Sequence, residues 1–129
     1  MAQNNKQYTQ ADYLADFKEI TDLMYETTRK KNTDYTGDAS DPFKNFRMIE
    51  EMGVCSAEAG IITRLTDKLM RMSGFVKNGV LQVQDEKIED TAVDLAVYSI
   101  IFALMVKSKK LSPVQDLTNK QLGTLTKSN

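Results

Sequence analysis

The chain has no histidine and no tryptophan, a single cysteine and two prolines. Each shortage closes a class of chemistry. Without histidine there is no imidazole acid–base catalyst and no Ser–His–Asp triad. One cysteine among carboxylates seldom builds a zinc site, so a metal here would be a hard cation on oxygen ligands, such as magnesium or manganese. Cys55 has no partner for an internal disulfide and fits a reduced, intracellular chain. It follows Gly53-Val54 with no base beside it, so a catalytic thiol is not expected. An excess of either charge is also lacking: Lys and Arg total 17 against 18 Asp and Glu. Direct nucleic-acid binding, which needs a basic face, is therefore not expected.

The N-terminus, MAQNNKQYTQ, lacks the apolar core of a signal peptide. The apolar run Leu95 to Val106 is about half of the roughly 20 residues that span a bilayer, so it reads as a buried helix in a soluble, cytoplasmic protein. The 129 residues are most simply one domain. A chain of this length buries roughly two thirds of its unfolded surface without a disulfide or metal staple.

What is present is helical spacing. Residues 1–8 are polar and expected to be disordered. Thr9 and Asp12 form a capping-box pattern ahead of Tyr13, Phe17, Ile20 and Met24, which recur on one helical face. That helix is expected to end near Lys30 or Lys31, before a turn-rich loop from Asn32 to Ser40. Asp41-Pro42 reads as an N-cap and first helical residue. The short helix that follows reaches about Met52, buries Phe43, Phe46 and Ile49, and stops at Gly53. Ser56 caps a third helix with the apolar face Ile62, Leu65, Leu69 and Met72, ended by Gly74. Lys77-Asn78-Gly79 signals a turn, and Val80 to Val83 alternates as an extended segment would. Asp85 caps a fourth helix that runs to about Lys109. The expected fold is all-α, a helical bundle of three long helices and one short one over residues 9–110. A tail at 111–129 would dock on a neighbouring subunit or stay mobile.

The fourth helix carries the most information. Asp85, Glu86, Glu89, Asp90 and Asp94 lie in its first half, and from Val93 to Val106 only Asp94 and Ser99 are polar. A carboxylate at the edge of a core must be paired, hydrogen-bonded or bound to a cation. Glu86, Asp90 and Asp94 span about 80° of one helical face, and Arg64, Lys68 and Arg71 of the third helix lie within about 60°. Antiparallel packing would bring the acidic and basic stripes together. They then form interhelical salt bridges of little energetic weight, or a nucleotide phosphate site. In that site the carboxylates hold magnesium and the basic side chains neutralise phosphate oxygens. A second candidate is the loop at Lys31, Asn32, Asp34 and Tyr35, where Tyr35 either stacks on a base or covers the core. Its aspartates at 34, 38 and 41 do not have the spacing of a calcium-binding EF-hand. Asn45 should point outward between Phe43 and Phe46, where a ligand can reach it.

The segments DYTGDASDPFKNF, ITRLTDKLMRM and DEKIEDTAVDLAVYSI together resemble the nucleotide modification associated domain 1 family of small phage and prophage proteins, over about residues 24–106. The resemblance implies a nucleotide-related role in a host cytoplasm. The fourth helix is also similar to the last metal-binding helix of MazG-like all-α nucleoside triphosphate pyrophosphohydrolases, in which an Asp precedes an apolar run as Asp94 does. That family uses an E-x-x-E pair on one helix and E-x-x-D on another. Here Thr91 stands three residues before Asp94, Glu86 and Glu89 lie on the same helix as Asp94, and the first helix offers Glu19-x-x-Asp22. The expectation is a homo-oligomeric nucleotide-binding protein with magnesium on Glu86, Asp90 and Asp94. Arg64, Lys68 and Arg71 would hold phosphates, and Lys31, Asp34 and Tyr35 the base or sugar. As an enzyme it would be a pyrophosphohydrolase with Asp90 and Asp94 as catalytic groups. As a non-catalytic accessory protein it would sequester a nucleotide signal or block a host defence protein.

Overall fold

A computed structural model describes residues 5–36, 41–79 and 87–110. The described residues form α1 (Gln10–Thr36), α2 (Lys44–Glu51), α3 (Ala57–Asn78) and α4 (Ile88–Lys110), with no strand among them. The described residues are thus all-helical, with three long helices and one short one. It divides into two compact units, Met1–Pro42 and Phe43–Asn129. The expected cap at Asp85, the extended segment at 80–83 and the tail from 111 lie outside the described residues.

In the first unit α1 opens with the reciprocal cap that its sequence specifies. The Asp12 amide donates to Thr9 Oγ1 at 3.2 Å, and Asp12 Oδ2 accepts from the Thr9 amide at 3.0 Å and the Thr9 hydroxyl at 2.8 Å. These bonds favour the ionised form and hold the Asp12 carboxyl below its ordinary 3.8. The helix does not stop at Lys30 or Lys31 but continues to Thr36. Asn32 to Thr36 contain no proline or glycine, and the Thr33 hydroxyl folds back onto the Arg29 carbonyl at 3.1 Å, so Thr33 is satisfied within the helix. The Asn32 side-chain amide donates to the Pro42 carbonyl at 2.7 Å.

In the second unit α2 begins two residues later than Asp41-Pro42 suggested. Its N-cap is Phe43, which makes no side-chain capping bond. Gly53 follows the helix with φ +76°, as a stop signal should. At the start of α3 the Ser56 hydroxyl accepts from the Ala59 amide at 3.1 Å, and Glu50 Oε1 of α2 accepts from the Ala57 amide at 2.7 Å. Two of the unpaired amides of the first turn are thereby satisfied, one of them by the neighbouring helix. Ile49 packs over Gly60, where an added Cβ would lie 3.4 Å from its Cγ2.

α3 and α4 run antiparallel. Ala57, Ile61 and Met105 are buried between them, with Phe43, Phe46, Leu65, Tyr98, Ile101 and Phe102 packed around. The buried face of α3 is therefore centred on Ile61, 1% exposed, and not on Ile62 and Leu69, which are 49% and 58% exposed. Among the described residues α4 is unevenly covered: Thr91 and Met105 are buried, while Ile100 and Leu104 are about half exposed. By length and composition α4 meets the criterion for a membrane-crossing helix, which its shorter apolar run had not suggested.

Gly74 does not end α3. The helix passes through it to Asn78 and stops at Gly79, whose φ of +75° is the left-handed cap conformation. At Gly74 a Cβ would meet nothing within 4 Å. Gly74→Ala should therefore raise stability by about 0.5–1 kcal/mol, because alanine costs less backbone entropy in a helix interior. Gly79→Ala should lower it by about 1 kcal/mol, since an L side chain is strained at that φ. Urea unfolding of the two variants checks both signs.

At the far end of the α3–α4 pair, Lys109 closes an ion pair with Glu58. Its hydrogen bond, largest among the causes, holds the Glu58 carboxyl below the usual 4.5 against the opposing effect of partial burial. A depressed carboxyl stabilises the fold above its unfolded value, and that contribution is lost as pH falls through its folded value. Glu58→Gln should accordingly flatten the loss of stability between about pH 5 and 3, by about 0.5 kcal/mol, as read from unfolding curves across that range.

Candidate functional site

Arg64 and Lys68 lie one turn apart on α3; Tyr98 and Asp94 lie one turn apart on α4. The antiparallel packing pairs them in order. Arg64 Nη1 donates to the Tyr98 hydroxyl at 3.1 Å, and the guanidinium lies 5.5 Å from the centre of the same ring. One turn further along α3, Lys68 Nζ stands 3.5 Å from Asp94 Oδ2. The basic and acidic stripes read from the sequence do meet, at Lys68 and Asp94.

The two cations are held differently. Arg64 is pinned by a hydrogen bond and by cation–π attraction to the ring face. Lys68 is held along its stem, since its side chain is only 19% exposed, while its ammonium reaches the rim. Asp94 is 49% exposed, so its carboxylate is open to solvent beside the contact with Lys68. The 3.5 Å separation exceeds the roughly 2.7–2.9 Å of a tight charge-assisted hydrogen bond, so the contact is a loose ion pair.

The other candidates are distributed as follows. Arg71 Nε lies 3.6 Å from Asp67 Oδ2 on its own helix. Asp90 is exposed in the first turn of α4, one turn before Asp94. Asn45 is exposed at the start of α2, as its position between the two packed phenylalanines required. Lys31 and Asp34 are exposed on α1, in the first unit, and on a helix where a loop was expected. Tyr35 lies in the last turn of α1, and its side chain is outside the described residues. Glu86 is likewise outside them. Among the described residues no three carboxylates, cysteines or histidines converge on one point. Asp90 and Asp94 are two carboxylates one turn apart on α4. Such a pair suits a magnesium ion that arrives with phosphate oxygens and water as its remaining ligands.

Sequence reasoning missed Tyr98. The signal was there: Tyr98 follows Asp94 by one turn, as Arg64 precedes Lys68 by one turn, so antiparallel packing that pairs one couple also pairs the other. It also missed a hollow of about 100 Å³ at the opposite end of the α3–α4 pair, lined by Phe43, Arg47, Glu50, Glu58, Ser108 and Lys109 among others. That volume is well below the roughly 300 Å³ of small ligand pockets. Arg47 there lies over the Phe43 ring at 5.8 Å, and Lys109 is paired with Glu58.

Tyr98→Phe removes the hydroxyl acceptor of Arg64 but keeps the ring face, and should cost about 0.5–1 kcal/mol. Tyr98→Ala removes the packing against the buried cluster as well and should cost about 2–4 kcal/mol. Chemical denaturation of the pair separates the polar from the apolar contribution.

Compared with protein-family models, with curated proteins and with solved structures, the chain matches none.

Proposed function

We propose that this is a nucleotide-binding protein, related to the phage nucleotide modification associated domain 1 family and to the MazG-like pyrophosphohydrolases, that holds its ligand on the α3–α4 face. The observation that carries the reading is the coincidence on that face of a pinned guanidinium, a lysine ammonium and an accessible carboxylate at Arg64, Lys68 and Asp94. Arg64, Lys68 and Arg71 would neutralise the phosphate chain. Asp94 and Asp90, with Glu86, would hold a magnesium ion. Asn45, in the same unit, is the candidate for the base or sugar; Lys31, Asp34 and Tyr35, singled out for that role by the sequence, belong to the first unit. A divalent cation so bound would supply Lewis-acid polarisation and activation of water, the chemistry needed to release pyrophosphate from a nucleoside triphosphate.

The exposed apolar residues Ile62, Leu69 and Val76 of α3 and Ile100 and Leu104 of α4 support association with a second copy of the chain. The Lys68–Asp94 contact, which engages the carboxylate with a lysine, favours a second reading, in which the protein binds its nucleotide without turnover. It would then act by sequestering a nucleotide signal or by occupying a host defence protein. Pyrophosphate release separates the two: turnover supports the enzyme, and saturable binding without turnover supports sequestration.

Calorimetric titration with several nucleoside triphosphates, with and without magnesium, tests the reading itself. At least one should bind, and Arg64→Ala should weaken it about 10-fold or more, the loss of a charged hydrogen bond to phosphate. Absence of heat with every nucleotide tried ends the proposal.

A further inference from the structure

The Lys68–Asp94 contact does more than bring charges together. On the proposed nucleotide site it sets two partners in competition. Lys68 is the side chain a phosphate would take, and Asp94 is the side chain a divalent cation would take. In the free protein each occupies the other. We propose that Asp94 is an internal competitor of the nucleotide phosphate for Lys68, so that phosphate and divalent cation bind cooperatively by breaking this one ion pair between them.

The geometry supports an exchange and not a permanent bridge. The pair is loose at 3.5 Å, and half of the Asp94 side chain is open to solvent. A lysine ammonium is a compact charge on a rotatable stem and can turn from one anion to another without disturbing the packing of that stem. Arg64 cannot take the same part, because it is committed to Tyr98 by both its hydrogen bond and the ring face. When phosphate draws Lys68 away, Asp94 is left as a carboxylate without its counter-ion, beside Asp90 one turn earlier. That arrangement attracts a cation. When a cation takes Asp94, Lys68 is released to the phosphate. Linkage makes the two effects equal: the factor by which phosphate strengthens cation binding is the factor by which the cation strengthens phosphate binding. An exposed or half-exposed ion pair sets that factor at about two- to five-fold from this contact alone.

This inference rests on the phosphate reading of the site, and it makes a prediction that a simple metal-ligand role for Asp94 does not. Asp94→Asn removes the competitor while nearly preserving shape. Without any divalent cation it should bind inorganic triphosphate about two- to five-fold more tightly than the unaltered protein. In manganese it should lose the tightening that the unaltered protein shows. Lys68→Met keeps the packed stem and removes the charge. It should bind manganese alone about two- to five-fold more tightly, and triphosphate should no longer strengthen that binding.

Calorimetry with triphosphate, electron paramagnetic resonance of free manganese and circular dichroism of each variant make the set. If Asp94→Asn is folded and binds metal-free triphosphate no better than the unaltered protein, the competition does not exist, although the nucleotide site stands. The same holds if Lys68→Met leaves manganese affinity unchanged. If the unaltered protein binds neither triphosphate nor any nucleotide, the site reading falls and the competition with it. Should Asp94→Asn fail to fold, Lys68→Met alone still decides between these outcomes.

Discussion

Everything in the second unit depends on the antiparallel seam between α3 and α4. Its apolar part is small: Ala57, Ile61 and Met105 are buried, with Leu65, Tyr98, Ile101 and Phe102 leaning on them. Removing side chains the size of Ile61 and Met105 from water contributes about 1.5–3 kcal/mol each. An ion pair as exposed as Lys68–Asp94 contributes about 1 kcal/mol or less. The apolar contacts therefore set the register, and the charged contacts follow from it. A register that seats Met105 at Ile61 and Ala57 also sets Tyr98 at Arg64 and Asp94 at Lys68, one turn apart on each helix. The chemistry on this face is thus positioned by a core several residues away.

Much of this was legible in the chain itself. Thr9 with Asp12 and Ser56 with Ala59 make the caps that their spacing specifies, because a capping bond is local and needs no tertiary partner. The four helices and their order follow from apolar periodicity. The need of Asp94 for a partner was also visible, since a carboxylate followed at once by Leu95 and Ala96 cannot sit unpaired at the edge of a core. What it met is a lysine of the preceding helix. A hydrogen-bonded tyrosine opposite Arg64 escaped notice, because Tyr98 stands in an apolar run and reads as packing alone.

Other features escaped for reasons that are equally physical. α4 is apolar on nearly all sides from Val93 to Val106, and a helix without a polar face gives no sign of which side is covered. The face had to be read from α3, where two neighbouring rows compete. The row through Ile62 and Leu69 is the more hydrophobic, whereas the row that packs runs through Ile61, Leu65 and Lys68. Counting hydrophobic residues passes over a lysine, although its four-carbon stem packs as an aliphatic chain does and only its head needs water. The ends of α1 and α3 went astray through a different bias. Asn32, Asp34 and Gly74 read as breakers in the sequence. A turn former continues a helix when its own side chain or the local space permits, as the Thr33–Arg29 bond and the open surroundings of Gly74 do.

The row that packs also explains why the cations on this face are not equivalent. Lys68 lies within the seam, where its stem packs as an aliphatic chain while its head stays free to turn at the rim. A guanidinium would bring a planar group and five donors to the same spot, needing more partners than Asp94 alone offers. Arg64 is at the flank, where Tyr98 supplies both an acceptor and a ring face to a group that can use them together. Lysine at the seam and arginine at the flank are therefore each matched to their surroundings. Exchanging them would place a rigid fork where a movable charge fits and a single point charge where two different contacts are available. It is this asymmetry, one cation fixed by an aromatic ring and one balanced against a carboxylate, that makes the face chemically directed and not merely charged.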